Sequence, residues 1–554
     1  MHYLTQQQHT LYAHRKPAIP FLFLCMLTVI LAACGGSSAT PTSGAKLAPK
    51  QVLAFPNVGT TDIGFFDPAT GPDANSALAI NMIFSGLVRS DKNLNVIPDQ
   101  ATWNISADQK TYTFTIKPGI TFSDGTPVTA QSYVYTWTRA LLPEINSPIA
   151  SFFEAPIVGA DAVSNGKSKT LSGVKAINDH TLQVTLNKPT PYFLEDLTTS
   201  IFFALNQKLI GQYGQKNWIQ HVEGTGVGTG PFIVKTWNHN VQMVLVPNPH
   251  YYGNKTKLTE VDMSFIKENS TAFKAYRAGQ YAFVWNLIPE DQLQAESMPG
   301  FMRKSLLQTD LIFFDSSRPP FNNVAVRQAF AYALDKKTLV HAVFKDSVTV
   351  AQTIIPPGMP GYQPDFPGLQ YNPAKAKSLF QSVYPDVSKA PSFTFTYPSS
   401  QVTPNEAAVL QQMWQTALGV QVKMRSEELT AYNNETAANR ANHTIQFGFT
   451  QWGADFPDPY DWLTLNLTAN ASNNNGSWNN PTFDKTVAQA DTLSGDARIA
   501  LYNKAEQIAI TDVGWLPIDH QAMAAIIPSW VHGVTLNAGG LYFDDWSNVY
   551  LLQH

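Results

Sequence analysis

The side chains of this sequence that could do chemistry are carboxylates and scattered histidines, because thiols are almost missing. The two cysteines, Cys25 and Cys34, both lie near the N-terminus, so the rest of the chain has no disulfide and no thiolate metal site. The 12 histidines are dispersed, and the sequence lacks the patterns G-x-x-x-x-G-K-[ST], H-E-x-x-H and G-x-S-x-G. We therefore predict no catalytic residue, no metal site and no cofactor.

One carboxylate, Asp455, could serve either a ligand or a turn. Asp455 follows Trp452-Gly453-Ala454 and precedes Phe456-Pro457-Asp458-Pro459. A carboxylate in a closed cleft can neutralise an ammonium group, which is costly to bury without a partner. The alternative is an aspartate that caps the turn ahead of the two prolines. Asp458 and Asp461 are interpreted as turn or surface acids, and Trp452 either lies near the site or packs in the core.

The N-terminus indicates export. Arg15 and Lys16 precede an apolar run of 13 residues, 21–33, which as a helix reaches about 20 Å and is too short for a hydrocarbon core of roughly 30 Å. A secretory signal over residues 1–33 is therefore predicted. Its end, Leu31-Ala32-Ala33-Cys34, resembles a bacterial lipobox. We expect Cys34 to be lipidated, followed by a flexible tether over residues 34–49.

The remaining chain predicts a large α/β body. Hydrophobic residues make up 44% of the sequence, which excludes a disordered chain, and the net charge of −4 gives no basic footprint for nucleic acid. Thr111–Ile116 and residues 181–186 alternate as strands do, whereas Tyr133, Trp137, Ala140 and Leu141 share one helical face. The glycines of residues 224–230 do not indicate a dinucleotide loop, because no hydrophobic strand precedes them.

Seven blocks, in this order, resemble the peptide- and nickel-binding receptors of ABC importers, and oligopeptide-binding proteins in particular. They are Ser123-Asp124-Gly125-Thr126-Pro127-Val128-Thr129-Ala130; Gly228-Thr229-Gly230-Pro231-Phe232; Pro247-Asn248-Pro249-His250-Tyr251-Tyr252; Arg318-Pro319-Pro320-Phe321-Asn322-Asn323; Trp452-Gly453-Ala454-Asp455-Phe456-Pro457-Asp458-Pro459; Asn480-Pro481-Thr482-Phe483-Asp484; and Leu501-Tyr502-Asn503-Lys504-Ala505-Glu506. Together they span nearly the whole predicted mature chain.

The resemblance implies a fold and a division of the chain. The fold is α/β, periplasmic-binding-protein-like type II, bilobal, with three domains and two hinge crossings near residues 308–315 and 519–525. The expected parts are a discontinuous lobe I core over residues 50–84, 209–310 and 523–554, a smaller inserted domain over residues 85–208, and lobe II over residues 311–522.

The resemblance also implies a function. We expect a monomeric receptor, lipid-anchored on the extracytoplasmic face of the cell membrane, that closes on an oligopeptide and delivers it to an ABC importer permease. Two alternatives stay open: a receptor of the same fold for a nickel chelate, an oligosaccharide or haem, and an extracytoplasmic enzyme.

The same resemblance implies a set of ligand-binding residues. In it Asp455 pairs with the peptide α-ammonium, and its neighbours Trp452, Gly453 and Ala454 lie at the ligand. Ile149 occupies a position that is Tyr in similar proteins. Arg440 lies near a position that meets peptide carboxylates, although a solvated arginine is the alternative.

Anchoring gives the first prediction. Changing Cys34→Ser removes the thiol that would carry the acyl chains, so the protein should leave the membrane fraction or keep an uncleaved signal. Stable anchoring needs more than one acyl chain, and the variant would carry none, so membrane binding of the cleaved protein should be weak. Fractionation with mass spectrometry of the N-terminus measures this. An unmodified Cys34 in a fully soluble wild type would contradict it.

Overall fold

The computed structural model describes residues 46–71, 73–150, 155–224, 226–399 and 401–554. The predicted signal at residues 1–33, Cys34 and the tether up to residue 45 lie outside the described residues. No helix among the described ranges combines the length and apolar character needed to cross a membrane.

The elements mix helices and strands throughout. The α-helices are Ala74–Ile83, Ala130–Leu141, Ala160–Ser164, Phe193–Asp196, Gln207–Tyr213, Asn269–Arg277, Pro289–Ala295, Val324–Tyr332, Lys336–Phe344, Pro373–Val383, Pro404–Leu418, Leu429–Asn442, Leu465–Leu467, Pro481–Ala490 and Gly495–Thr511. Short 3-10 helices are Pro68–Thr70, Ser200–Phe202, Trp218–His221, Val387–Lys389 and Trp546–Asn548, and Tyr460–Thr464 is a π-helix.

Three larger sheets organise the strands. One has the order Val52–Val58, Glu260–Ile266, Gln242–Pro247, Phe232–Asn238, and another the order Ala101–Ile105, Thr111–Ile116, Thr181–Thr185, Val174–Asn178. The third has the order Val284–Trp285, Trp515–Ile526, Phe301–Phe314, Phe447–Gly453, Thr394–Pro398, Lys423–Glu427, with Thr349–Val350 also paired to Trp515–Ile526. Two-stranded sheets join Val88–Ser90 to Val96–Pro98, Val531–His532 to Tyr550–Leu551, and Val534–Asn537 to Gly540–Phe543.

Local sequence explains these elements where patterns are strong. The predicted strand Thr111–Ile116 is confirmed, with Tyr112, Phe114 and Ile116 buried on one face. The helix Ala130–Leu141 buries the predicted apolar stripe, and the hydroxyl of Ser132 accepts a hydrogen bond from the N–H of Thr129 just before its start. Alternation and 3.6-residue periodicity each leave one apolar face that must be buried.

Buried apolar side chains form three clusters, which we call core A, core B and core C. Core A draws on residues 53–84, 203–295 and 524–551. Core B draws on residues 87–204 together with Ala69 and Phe456. Core C draws on residues 307–518. The domain bounds expected from the sequence stay a prediction.

Two long strands connect core A with core C. Phe301–Phe314 and Trp515–Ile526 pair antiparallel, and their register shifts between Ser305 and Thr309. Such irregularities bend and twist a strand pair locally. The ribbon is therefore irregular in the stretch between the two cores.

The change of core occurs within a few residues on each strand. The first strand packs on core A up to residue 302 and enters core C at residue 307, just before the predicted crossing at 308–315. The second leaves core C at residue 518 and packs on core A from residue 523, within the predicted crossing at 519–525.

The glycine-rich run has a packing role. A Cβ added at Gly228 would lie 2.1 Å from the carbonyl oxygen of Ile83, and one at Gly230 would lie 2.6 Å from the backbone carbon of the same residue. Beside them, Gln100 Nε2 donates to Thr229 Oγ1 at 2.7 Å, so the run joins core A to core B. Only glycine permits this close approach.

A buried ion pair across this junction gives a stability prediction. Arg139, on the helix Ala130–Leu141, donates to Asp67 at 3.1 and 2.6 Å, with both side chains buried. Asp67→Asn leaves the guanidinium charge uncompensated and should lower the free energy of unfolding by about 3–5 kcal/mol. Urea titration measures the loss.

The matched control is an ion pair on the surface. Lys235 and Glu260 approach to 2.7 Å with both side chains partly exposed, so Glu260→Gln should cost at most about 1 kcal/mol. Equal losses in the two variants would contradict a structural role for the buried pair.

Candidate functional site

A cavity of about 910 Å³ lies between residues of core B and residues that follow the sheet of core C. Its volume falls in the range of about 300–1,000 Å³ typical of small-ligand sites. The lining residues from the core B side are Pro148, Ile149, Ala155, Pro156, Asn187, Lys188, Tyr192 and Asp196; those from the other side are Trp452, Asp455, Phe456, Tyr460, Leu465, Ser472 and Asn473.

Asp461 holds the loop that carries Asp455. The strand Phe447–Gly453 ends just before this loop, and both the indole N–H of Trp452 and the backbone N–H of Asp455 donate to Asp461 Oδ2, at 3.2 and 3.1 Å. Asp461 has no solvent exposure, and burial raises its pKa well above the usual range. The predicted surface position of Asp461 is therefore wrong, whereas the predicted turn role agrees with its hydrogen bond from the loop backbone.

Asp455 itself presents a free carboxylate to the cavity. Among the residues that the structure describes, its side chain has no hydrogen-bond or ion-pair partner. The residue is exposed toward the cavity, and partial desolvation by the surrounding protein raises the pKa of its carboxyl group to about 6. A desolvated carboxylate without a partner favours binding of a cation.

Asp458 is committed elsewhere. Arg498 donates to both of its oxygens, at 2.6 and 2.7 Å, and both side chains are largely buried. The predicted turn role holds in part, because Asp458 also accepts a hydrogen bond from the N–H of Tyr460 at 2.8 Å. The bidentate pair leaves Asp458 with little capacity for a ligand.

Aromatic rings close one side of the cavity. The ring of Tyr192 stacks against that of Phe456, with centroids 4.8 Å apart, and against that of Tyr460 at 4.4 Å. Phe456 follows Asp455 directly, yet it is buried in core B. The stack therefore joins the two sides of the cavity.

The other predicted site residues divide into two groups. Ile149 and Trp452 line the cavity. Gly453 and Ala454 do not: Gly453 pairs with Gln308 at the end of its strand, and the N–H of Ala454 donates to the carbonyl of Leu307 at 2.8 Å.

Arg440 acts through a loop. Its guanidinium donates to the carbonyl oxygens of Ala469 and Ala471 and does not line the cavity. The loop that it holds supplies Ser472 and Asn473 to the cavity wall. These two residues also line a neighbouring cavity of about 420 Å³.

Sequence reasoning missed the residues of the opposite wall. Tyr192, Asp196 and Lys188 lie more than 250 residues before Asp455, and no local pattern connects them to it. Phe456 was visible only as a neighbour of Asp455. To predict these residues, one would have to know which segments of the chain meet in three dimensions.

Comparison with known proteins identifies the family. Residues 95–474 match bacterial extracellular solute-binding proteins, family 5 (middle region). The oligopeptide-binding protein OppA of Bacillus subtilis is 31% identical over 94% of this chain and 97% of its own length. The probable deoxycholate-binding periplasmic protein YgiS of Escherichia coli is 30% identical over 93% of this chain and 95% of its own length.

A solved structure extends the likeness to the fold. The murein tripeptide binding protein MppA of Escherichia coli superposes with a TM-score of 0.77 at 29% identity, covering 92% of this chain and all of that one. The predicted α/β fold of the periplasmic-binding-protein-like type II class is thereby confirmed. On the family match and the relatives together, the chain belongs to family 5 of the bacterial extracellular solute-binding proteins.

Proposed function

We propose that this protein captures oligopeptides in the 910 Å³ cavity and delivers them to the permease of an ABC importer. The observation that carries the proposal is the Asp455 carboxylate, which faces the cavity and has no partner among the described residues. Relatives named for oligopeptide and murein tripeptide binding support the ligand class.

The chemistry favours a free amino terminus. A peptide α-ammonium brings one positive charge and three donors, which match a carboxylate that has lost hydration and gained no protein donor. Binding should lower the pKa of Asp455 from about 6, because an opposite charge favours the ionised form. We propose Trp452 and Ile149 as walls of this site, and Arg440 as a positioning residue for Ser472 and Asn473.

We further propose that the cavity opens and closes by motion of two lobes. Lobe I would combine residues 50–84, 209–310 and 523–554 with the inserted domain at 85–208, and lobe II would be residues 311–522. The three hydrophobic cores and the two long connecting strands support this division. The protein would act as a monomer, tethered to the outer face of the membrane through Cys34.

A receptor for a non-peptide solute is the second candidate, because YgiS is a relative of similar identity. Deoxycholate is an anion, however, and an unpaired carboxylate repels anions. Asp455 therefore favours a cationic group and supports the peptide over a bile acid.

We propose that this protein catalyses no reaction. Ser317, His443 and Asp315 meet at hydrogen-bond distance, but the Ser317 hydroxyl and Asp315 both contact the same ring nitrogen of His443, at 3.2 and 2.9 Å. The Ser317 hydroxyl also donates to Asp315 at 2.6 Å. A nucleophilic serine requires the histidine to bridge the two residues through opposite nitrogens.

Replacing Asp455 tests the proposed ammonium site. Removing one member of a desolvated charge pair costs about 2–5 kcal/mol, so Asp455→Asn should weaken binding of a free tripeptide by about 30-fold to a few thousand-fold. N-acetylation of the peptide should weaken binding to the wild type similarly. The two changes together should cost less than their sum, which calorimetry on all four combinations measures.

The control is an exposed carboxylate outside the cavity, and Asp365→Asn should leave affinity unchanged. Asp461→Asn is unsuitable as a control, because it would release the loop that carries Asp455. Equal affinity of the wild type for acetylated and free peptide would refute the ammonium site.

Lobe closure gives a separate prediction. A ligand shifts the population toward a closed form only through contacts that the open form lacks. Small-angle X-ray scattering should therefore show a smaller radius of gyration with a bound peptide than without one. Tyr192→Ala removes the ring that stacks on Phe456 and Tyr460 across the cavity, so it should enlarge the radius of gyration of the unliganded protein. An unchanged radius with calorimetrically verified binding would indicate a rigid site.

A further inference from the structure

Resting on the proposed function, we propose that Asp196 binds a second positive charge of the ligand, so that the preferred peptides carry a lysine- or arginine-type side chain near their free amino terminus. Asp196 would then be a specificity-determining residue on the wall opposite Asp455.

Asp196 lacks the partners that a buried carboxylate requires. The residue is only 2% exposed, it lines the cavity, and its Oδ1 atom has no hydrogen-bond partner. It ends the short helix Phe193–Asp196, which also positions the neighbouring Glu195. An unpartnered buried carboxylate is costly, and a cation supplied by the ligand would remove that cost.

The groups that face Asp196 are mostly acidic. Desolvation by burial is the largest cause that raises the pKa of Asp196, and Glu195 on its own helix, the nearby Asp461 and Asp458, and Asp455 on the opposite wall raise it further. Glu195 also has an unpartnered buried oxygen, Oε2, and a raised pKa. This side of the cavity therefore gathers several carboxyl groups around Asp196.

The two nearby cations, Arg498 and Lys188, do not pair with Asp196. Arg498 is held by both oxygens of Asp458. Lys188 lies over the ring of Tyr460, 6.0 Å from its centroid, and its charge lowers the pKa of Asp491. Neither cation forms an ion pair with Asp196 among the described residues.

A basic side chain fits the chemistry of the cavity better than a bound metal. Within the described part of the chain, no group of three or more His, Cys, Asp or Glu is arranged to hold a metal ion. Apolar lining from Pro148, Ile149 and Leu465 suits the methylene stem of a lysine or arginine, whose charged end requires an acceptor.

Two matched peptides test the proposal by calorimetry at neutral pH: Lys-Ala-Ala and norleucine-Ala-Ala, which differ in the side-chain charge. The wild type should bind the lysine peptide at least about 10-fold more tightly. Asp196→Asn should abolish this preference and still bind the norleucine peptide, which also shows that the variant is folded. Asp455→Asn should weaken both peptides, and the exposed Asp161→Asn should behave as wild type.

The outcomes separate this inference from the proposed function. Equal affinity of the wild type for both peptides would overturn the role of Asp196 and leave the peptide receptor intact. Persistence of the lysine preference in Asp196→Asn would also overturn it. The wild type could instead bind the norleucine peptide more tightly at lower pH and show no preference for the lysine peptide. If Asp196→Asn loses that pH dependence, the partner of Asp196 is a proton and the proposal is overturned. Failure to bind either peptide would contradict both proposals.

Discussion

An unpaired carboxylate in crowded surroundings is the constraint on which the site depends. Desolvation raises the pKa of Asp455 to about 6, so its carboxylate is mostly ionised at neutral pH, and a cation from the ligand would stabilise that charge. Asp461 fixes the backbone beside it, and the stack of Tyr192 with Phe456 and Tyr460 closes the cavity around it. The same residues that strengthen the attraction for a ligand therefore also penalise the closed form without one.

A pair of buried carboxyl groups lies on the two long strands that connect core A with core C. Asp310 and Asp519 are register partners, and the side-chain amide of Gln521 donates to both at 2.8 Å, while Gln451 donates to Asp310 at 2.7 Å. Burial raises the pKa of Asp310 to about 7 and that of Asp519 well above the usual range. These hydrogen bonds connect the two strands between their two register shifts, at Ser305/Thr309 and Asp310/Leu311.

Local patterns predicted the elements and the position of the acidic loop, but tertiary contacts decided the roles within it. Thr111–Ile116 could be predicted because alternation shows which face is buried. The role of Asp461 could not be predicted, because it depends on hydrogen bonds from Trp452 and Asp455 that form only in the folded structure. Arg440 lies near the end of a polar helix, a position that suggests a solvated side chain. Only the fold brings the carbonyl groups of a later loop to its guanidinium. Asp196 had no local signal at all.

The pairing of the two ends of the described body has a consequence for biogenesis. The N–H of Ala48 donates to the carbonyl of Leu551, and the strand Val52–Val58 pairs with Glu260–Ile266. Core B and core C each use one nearly continuous stretch of chain, so they can collapse while synthesis continues, whereas core A waits for residues 524–551. The segment next to the predicted anchor is therefore made early, but its hydrogen bond to Leu551 can form only when synthesis is nearly complete.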